Sequence, residues 1–283
     1  MYLKKTLEMI GLSILICFSF ILTEKTTNVM KENDSIMTSV KENKEALEIH
    51  SINAKINEDE IVPGISGRVV DIEKSYQTMK KVGYYNDSLF VYKKELPTIS
   101  IKDNYDKYIV SGNKSKKQIA IIFKIDKEQN IDNIIDLLDK NKMTANLFIS
   151  YDWASNNINK IKNLSNKNYV FGVLNETNNV DNENFKLLQT LIKINSSQTN
   201  YYCYTEEKSS DLLNTCSKNK HYTILPSIII ENNLLANLMK NISSGSIISI
   251  NINKNTASEL SNALEYINSK GLKVVNLSTL LEE

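Results

Sequence analysis

The chain has 283 residues, 41% hydrophobic and 24% charged, the proportions of an ordinary globular protein. Its 34 basic residues nearly cancel its 33 acidic ones, so no strong field marks nucleic acid as a partner. Three cysteines are too few for a disulfide framework, and two histidines restrict any imidazole-based metal chemistry.

Lys4 and Lys5 precede an apolar stretch, Met9 to Leu22, which Glu24 and Lys25 close. This is short against the ~20 residues of a spanning helix, although Thr6, Leu7 and Thr23 extend it. With lysines leading and no small-x-small cleavage site following, residues 1–23 are expected as a retained signal anchor. That reading puts a single transmembrane helix at 6–23, the N-terminus inside and the rest of the chain extracytoplasmic, in the cell envelope. A cleaved signal peptide is the alternative. Lipid attachment at Cys17 is disfavoured by Ile16 before it and by the apolar run that continues past it.

Residues 24–50 are polar, with scattered Ile36, Met37, Val40 and Leu47, and read as a stalk in which Asp34 caps a short helix. "SINAKIN" then alternates Ile52, Ala54 and Ile56 against polar neighbours, the pattern of a half-buried strand. Asp71 opens a helix through Ile72, Tyr76, Met79 and Val82 that Gly83 ends. With strands in "SLFVYK" and "PTISI", residues 51–112 are expected to form a small α+β module.

From about 113 to 283 the pattern becomes regular. Strands are predicted at 118–125, 143–150, 169–174, 199–204, 221–230 (broken by Pro226), 246–252 and 272–277, with amphipathic helices between them. Such repetition implies a parallel sheet covered by helices. About seven units with no glycine-rich phosphate loop favour a closed or nearly closed (β/α) barrel over an open doubly wound sheet. In one strand–helix unit Cys203 lies near the strand top and Cys216 down the returning helix. A descent of about 10 Å exceeds disulfide reach, so both thiols are expected buried and unpaired.

In "KQIAIIF", "KMTANLFIS" with "DWASNN", "NYVFGV", "SGSIISINI" and "GLKVVNLSTLL", the C-terminal three-fifths resembles a polysaccharide deacetylase domain. These are carbohydrate esterases acting on acetylated chitin-like and peptidoglycan sugars. The resemblance implies a distorted (β/α) barrel, a divalent metal held by Asp, His and His, an aspartate base and a histidine acid. It places base and metal aspartates at Lys124 and Ile125, the paired histidines at Leu174 and Asn178, and the acid histidine at Asn251. "YYCYTEEK" offers no counterpart to the family's Arg-Pro-Pro segment. Every chemical position is vacated, and two histidines cannot fill a site that needs three. His50 falls in the stalk, and His221 reads as a partly exposed strand-end residue. The chain is therefore expected to carry no metal, no cofactor and no deacetylase chemistry of the family's kind.

In β/α barrels ligands bind at the C-terminal ends of the strands. Those ends supply a candidate groove of Asp126, Tyr151, Asp152, Trp153, Asn175, Glu176, Tyr204, Glu206 and Asn251, with the aromatics stacking on sugar rings. Lys124 is expected to pair with Glu176 or Glu206, filling the electrostatic hole left by the metal. The sequence thus points to an inactive deacetylase-like protein that binds glycan or another envelope component. The alternatives are an enzyme with a metal site rebuilt from the mouth carboxylates, and a structural scaffold.

Overall fold

The structure, a computed structural model, describes residues 2–126, 131–174 and 182–283. From the N-terminus run helices α1 (Tyr2–Glu32) and α2 (Ser35–Asn43), strands β1 (Lys55–Asn57), β2 (Glu60–Val62) and β3 (Gly67–Val70), and helix α3 (Ile72–Val82). Strands β4 (Tyr92–Glu95) and β5 (Tyr108–Ile109) follow. Then come β6 (Gln118–Ile125), α4 (Asp132–Lys140), β7 (Asn146–Ile149), α5 (Tyr151–Asn156), α6 (Ile158–Ser165), β8 (Val170–Leu174), α7 (Asn182–Asn195) and β9 (Tyr202–Tyr204). The chain closes with α8 (Ser210–Lys218), β10 (Tyr222–Ile224), β11 (Ile228–Ile230), α9 (Leu234–Asn241), β12 (Ile247–Asn251), α10 (Thr256–Ser269), β13 (Lys273–Val275) and α11 (Leu277–Leu280). It packs as two units: Met1–Ser51 with Ser66–Leu96, and Ile52–Ile65 with Pro97–Glu283. Residues 51–112 contribute to both.

In the first unit, no helix among the described residues is long and apolar enough to cross a membrane. This overturns the expected transmembrane anchor at 6–23 and the membrane-attached, extracytoplasmic placement built on it. The physical reason is length. The apolar run Met9–Leu22 rises about 21 Å as a helix, against a hydrocarbon core of about 30 Å. The expected stalk is instead partly packed. Asp34 Oδ1 accepts from the Ile36 amide at 2.9 Å, capping α2. Behind that cap Ile36 and Val40 bury against Val70, Met79 and Phe90. Helix α3 is bounded as its sequence predicts, by Asp71 accepting from the Lys74 amide at 3.1 Å and by Gly83 at φ +87°.

The second unit is built on one mixed sheet, in the order β1-β2-β5-β10-β9-β8-β7-β6-β12-β11. Among the described strands of this sheet only β1 and β2 pair antiparallel. Ala120 of β6 pairs with both Ile247 of β12 and Val275 of β13, so β13 occupies the lower part of the edge that β7 takes further up. The predicted strand 221–230 is two strands. Pro226 has no amide to donate, and the sheet parts there. β10 stays with β9 and β5, while β11 pairs with β12. The barrel is consequently open, a correction to the closed or nearly closed form, and β6–β13 make eight strands rather than seven.

Side chains of β6 alternate strictly between two cores. Ile119, Ile121, Phe123 and Ile125 join the layer beneath the helices. Ala120 and Ile122 join the barrel interior, with Phe148, Tyr202, Tyr204 and Tyr222. Helix α10 covers the sheet with Leu260, Ala263, Leu264 and Ile267, a stripe at helical spacing, and Gly271 at φ +68° ends it. The buried Glu283 carboxylate accepts from the Gly64 amide at 2.8 Å and from the Ile101 amide at 3.3 Å, tying both segments to the end of the chain.

Candidate functional site at the barrel mouth

The alternation that builds β6 also sets the fate of the two vacated aspartate positions. Lys124 turns inward at the top of the strand, level with Phe148 of β7 on one side and Asn251 of β12 on the other. Ile125 turns the other way and is fully buried among apolar side chains under the helices. Leu174 pairs with Tyr204 in register and packs on the interior cluster. Asn178 lies outside the described residues.

Lys124 Nζ forms an ion pair with Glu206 Oε1. Tyr204 donates its hydroxyl to the same oxygen at 2.8 Å, and its own oxygen lies 2.7 Å from Ser249 Oγ. Because the phenol proton is committed to the carboxylate, Ser249 is the donor to Tyr204. The ammonium also stands 5.6 Å from the Tyr204 ring centroid. Partial burial pushes the Glu206 carboxyl up, but the bonds from Lys124 and Tyr204 and the lysine's charge outweigh this and hold it below its ordinary value. Burial and the neighbouring carboxylate push the Tyr204 phenol well up, so it stays a donor. The expected pairing of Lys124 is thus made, with Glu206. Glu176 lies outside the described residues.

These residues do not fit the divalent ion that the resemblance implies. An ammonium repels a cation, and neither Ile125 nor Leu174 carries a donor atom. Among the described residues no three His, Cys, Asp or Glu side chains are grouped to hold a metal ion. Asp126 and Asp152 are exposed, and neither joins Glu206 in such a group.

Of the candidate groove, the structure assembles Tyr204, Glu206 and Asn251 around Lys124. It does not assemble the aromatic platform. Trp153 is only 2% exposed, sunk in the core beneath the helices, where Ser150 Oγ caps its helix by accepting the Trp153 amide at 3.2 Å. Tyr151 packs on that same core, and Tyr204 lays its buried ring against Phe148 with centroids 5.5 Å apart. Asn175 lies outside the described residues. Ser249 was missed by sequence reasoning, although "SIISINI" holds the signal: period two places it on the face of Asn251.

Two further corrections concern β9 and β10. Cys203 and Cys216 form a disulfide, with Cα atoms 6.4 Å apart. The helix descending from the strand top runs back beside the strand and brings Cys216 level with Cys203. His221 is 1% exposed, not a partly exposed strand end, and its ring packs against those of Phe185 and Tyr201, with centroids 5.7 and 5.4 Å away. Its Nδ1 donates to the Asn219 carbonyl at 2.9 Å. Burial lowers its pKa, and the bond to Asn219 offsets this only in part. The folded state therefore resists protonation that the unfolded chain accepts below about 6.5. Stability is expected to fall as pH drops through that value, and His221→Gln to flatten the fall. Urea midpoints at pH 7 and pH 5 measure both, and identical slopes for the two proteins would refute the assignment.

The chain is thus an open (β/α) barrel in which the positions that the resemblance assigns to base and metal ligands carry, among the described residues, an ammonium at Lys124 and apolar side chains at Ile125 and Leu174. Comparison with known proteins specifies it further. The chain has the fold of BA3943 of Bacillus anthracis, a CE4 family pseudoenzyme, at TM-score 0.65 and 21% identity, covering 89% of this chain and 96% of that one. A BA3943 mutant with restored enzymatic activity matches at TM-score 0.65 and 22% identity, covering 88% of this chain and 99% of that one. PdaA of Bacillus subtilis, a family 4 carbohydrate esterase, matches at TM-score 0.55 and 16% identity, over 63% of this chain and 86% of its own. Among curated proteins, the uncharacterized YlxY of Bacillus subtilis (strain 168) is 24% identical over 149 residues, 52% of this chain and 47% of its own. The match thus spans about half the length of that relative. No family model matches the chain.

Proposed function

We propose that this chain is a catalytically inactive relative of the carbohydrate deacetylases that binds glycan at the barrel mouth. One observation carries the loss of catalysis: of the two positions that would hold base and metal ligand, one presents an ammonium and the other is buried in the core. Zinc-type hydrolysis needs a cation to polarise the carbonyl and acidify water, and these side chains oppose its binding. The pseudoenzyme status of BA3943 supports the reading, since it has a similar fold. Polar groups from β6, β9 and β12 at the mouth support retention of a ligand.

The test is acetate release from N-acetylglucosamine oligomers and acetylated peptidoglycan with zinc, cobalt, manganese or nickel, with an active family 4 esterase as control. No release above the blank is expected in any metal. Metal-dependent release by the purified chain would overturn the inactive assignment. Retention on cell-wall glycan is expected in a pull-down, and its absence would favour a purely structural scaffold.

A further inference from the structure

The geometry points to a carboxylate-binding subsite at the mouth, occupied in this structure by the chain's own Glu206 and built to receive the carboxylate of an acidic sugar. The inference rests on the glycan-binding reading above and narrows its ligand. The receiving groups stand on three strands of the sheet: Lys124 on β6, Tyr204 on β9 and Ser249 on β12. They form a directional relay, Ser249 donating to Tyr204 at 2.7 Å and Tyr204 to Glu206 Oε1 at 2.8 Å, with the ammonium on the same oxygen. Donors held by a rigid sheet and converging on one anionic oxygen make a receptor for a carboxylate rather than for a neutral hydroxyl.

The carboxylate itself is held differently. Glu206 lies beyond the end of β9, and its side chain is 37% exposed, against 19% for Lys124. The fixed half of the pair is therefore the cation, and the exchangeable half is the acid. Asn251 supplies the second feature. It stands across from Lys124 in the parallel register, on the face of β12 that carries Ser249, and its buried Oδ1 has no hydrogen-bond partner among the described residues. A buried amide oxygen left so is an acceptor in want of a donor. A ligand that presents a carboxylate to Lys124 and an amide N–H or hydroxyl to Asn251 answers both, and an acidic N-acetylated sugar has that chemistry.

The experiment compares N-acetylmuramic acid with N-acetylglucosamine, which differ by one lactyl ether carboxylate, by NMR titration of the full chain. Wild type is expected to bind the acid at least tenfold more tightly. Glu206→Gln removes the internal competitor at an exposed position. It should raise the preference for the acid over the neutral sugar by a further tenfold or more, while Lys124→Met should erase the preference. Equal binding of the two sugars, indifferent to Glu206→Gln, would overturn the inference and leave glycan binding standing, with the pair as an internal brace. Preference for the acid that survives Lys124→Met would also overturn it. Failure of either sugar to bind any variant would sink the subsite and the glycan reading together.

Discussion

Replacement of Gly172 by alanine is expected to cost about 3 kcal/mol of stability, at the upper end of overpacking penalties in cores. Gly172 sits beside Phe148 in the parallel register of β7 and β8. A Cβ at this position would lie 2.2 Å from Phe148 Cε1 and 2.4 Å from Cδ1. Elsewhere a side chain could swing away, but Phe148 is fully buried, and the Tyr204 ring packs against it. The glycine is needed here for room, not for backbone freedom. The clash is specific to the ring, so Gly172→Ala should cost markedly less in a Phe148→Leu background, with a coupling of about 1 kcal/mol or more. Urea unfolding of the four proteins in the cycle measures it. Equal cost in both backgrounds would show that the ring is not what the glycine accommodates. Because Tyr204 carries the bond to Glu206, the same substitution should also disturb the mouth.

How far the sequence reached follows from which interactions are local. The limits of β6, the caps at Asp34 and Asp71 and the stops at Gly83 and Gly271 are set by residues adjacent in the chain, and the structure has them as read. The break at Pro226 was also visible, but its consequence was not. Whether a broken strand rejoins its sheet or opens the barrel depends on non-local partners, here Ile109, 115 residues before Ile224, on one side and Ile248, 20 residues after Ile228, on the other. The N-terminal apolar run misled in another way. Its composition is membrane-like, but its length falls short, and crossing a bilayer is decided by length.

At the mouth the same distinction applies. The vacated positions were legible because a missing ligand is a matter of residue type. The groove was not, because stacking requires exposure, and exposure depends on which way a helix start rolls. Trp153 follows the N-cap Ser150 by one helical turn, which directs its indole into the core rather than across the strand ends. The partner of Lys124 was narrowed to two glutamates by strand order alone, and the choice of Glu206 needed three-dimensional placement. With an ammonium at the position where the resemblance places the base, and its counter-charge supplied by Glu206, the mouth has charge complementarity without a metal-binding group among the described residues. That arrangement is why a single substitution at 124 or 125 is not expected to restore activity: one position still carries a positive charge or the other still sits in the core.

The disulfide gives the second large effect. Conversion of Cys203 and Cys216 to alanine together is expected to destabilise the chain by about 3 kcal/mol, the loop-closure value for a ring of this size. The bridge spans 13 residues of sequence and is fully buried at both ends. It pins α8 to β9 at the place where His221 leads into β10, through the His221 amide bonded to the Cys216 carbonyl at 2.9 Å. Buried sulfurs are shielded from reductant while the fold is closed, so reduction should be slow in buffer and rapid in urea. Against the usual 5–15 kcal/mol of a globular domain, the loss moves the urea midpoint visibly. Urea unfolding of the oxidised, reduced and double-alanine proteins is expected to separate the first from the other two. Thiol titration of the unreduced chain in denaturant should find Cys17 alone. Reaction of Cys203 and Cys216 as well would mean that the bridge does not form, and with it would go the registration of α8 against β9.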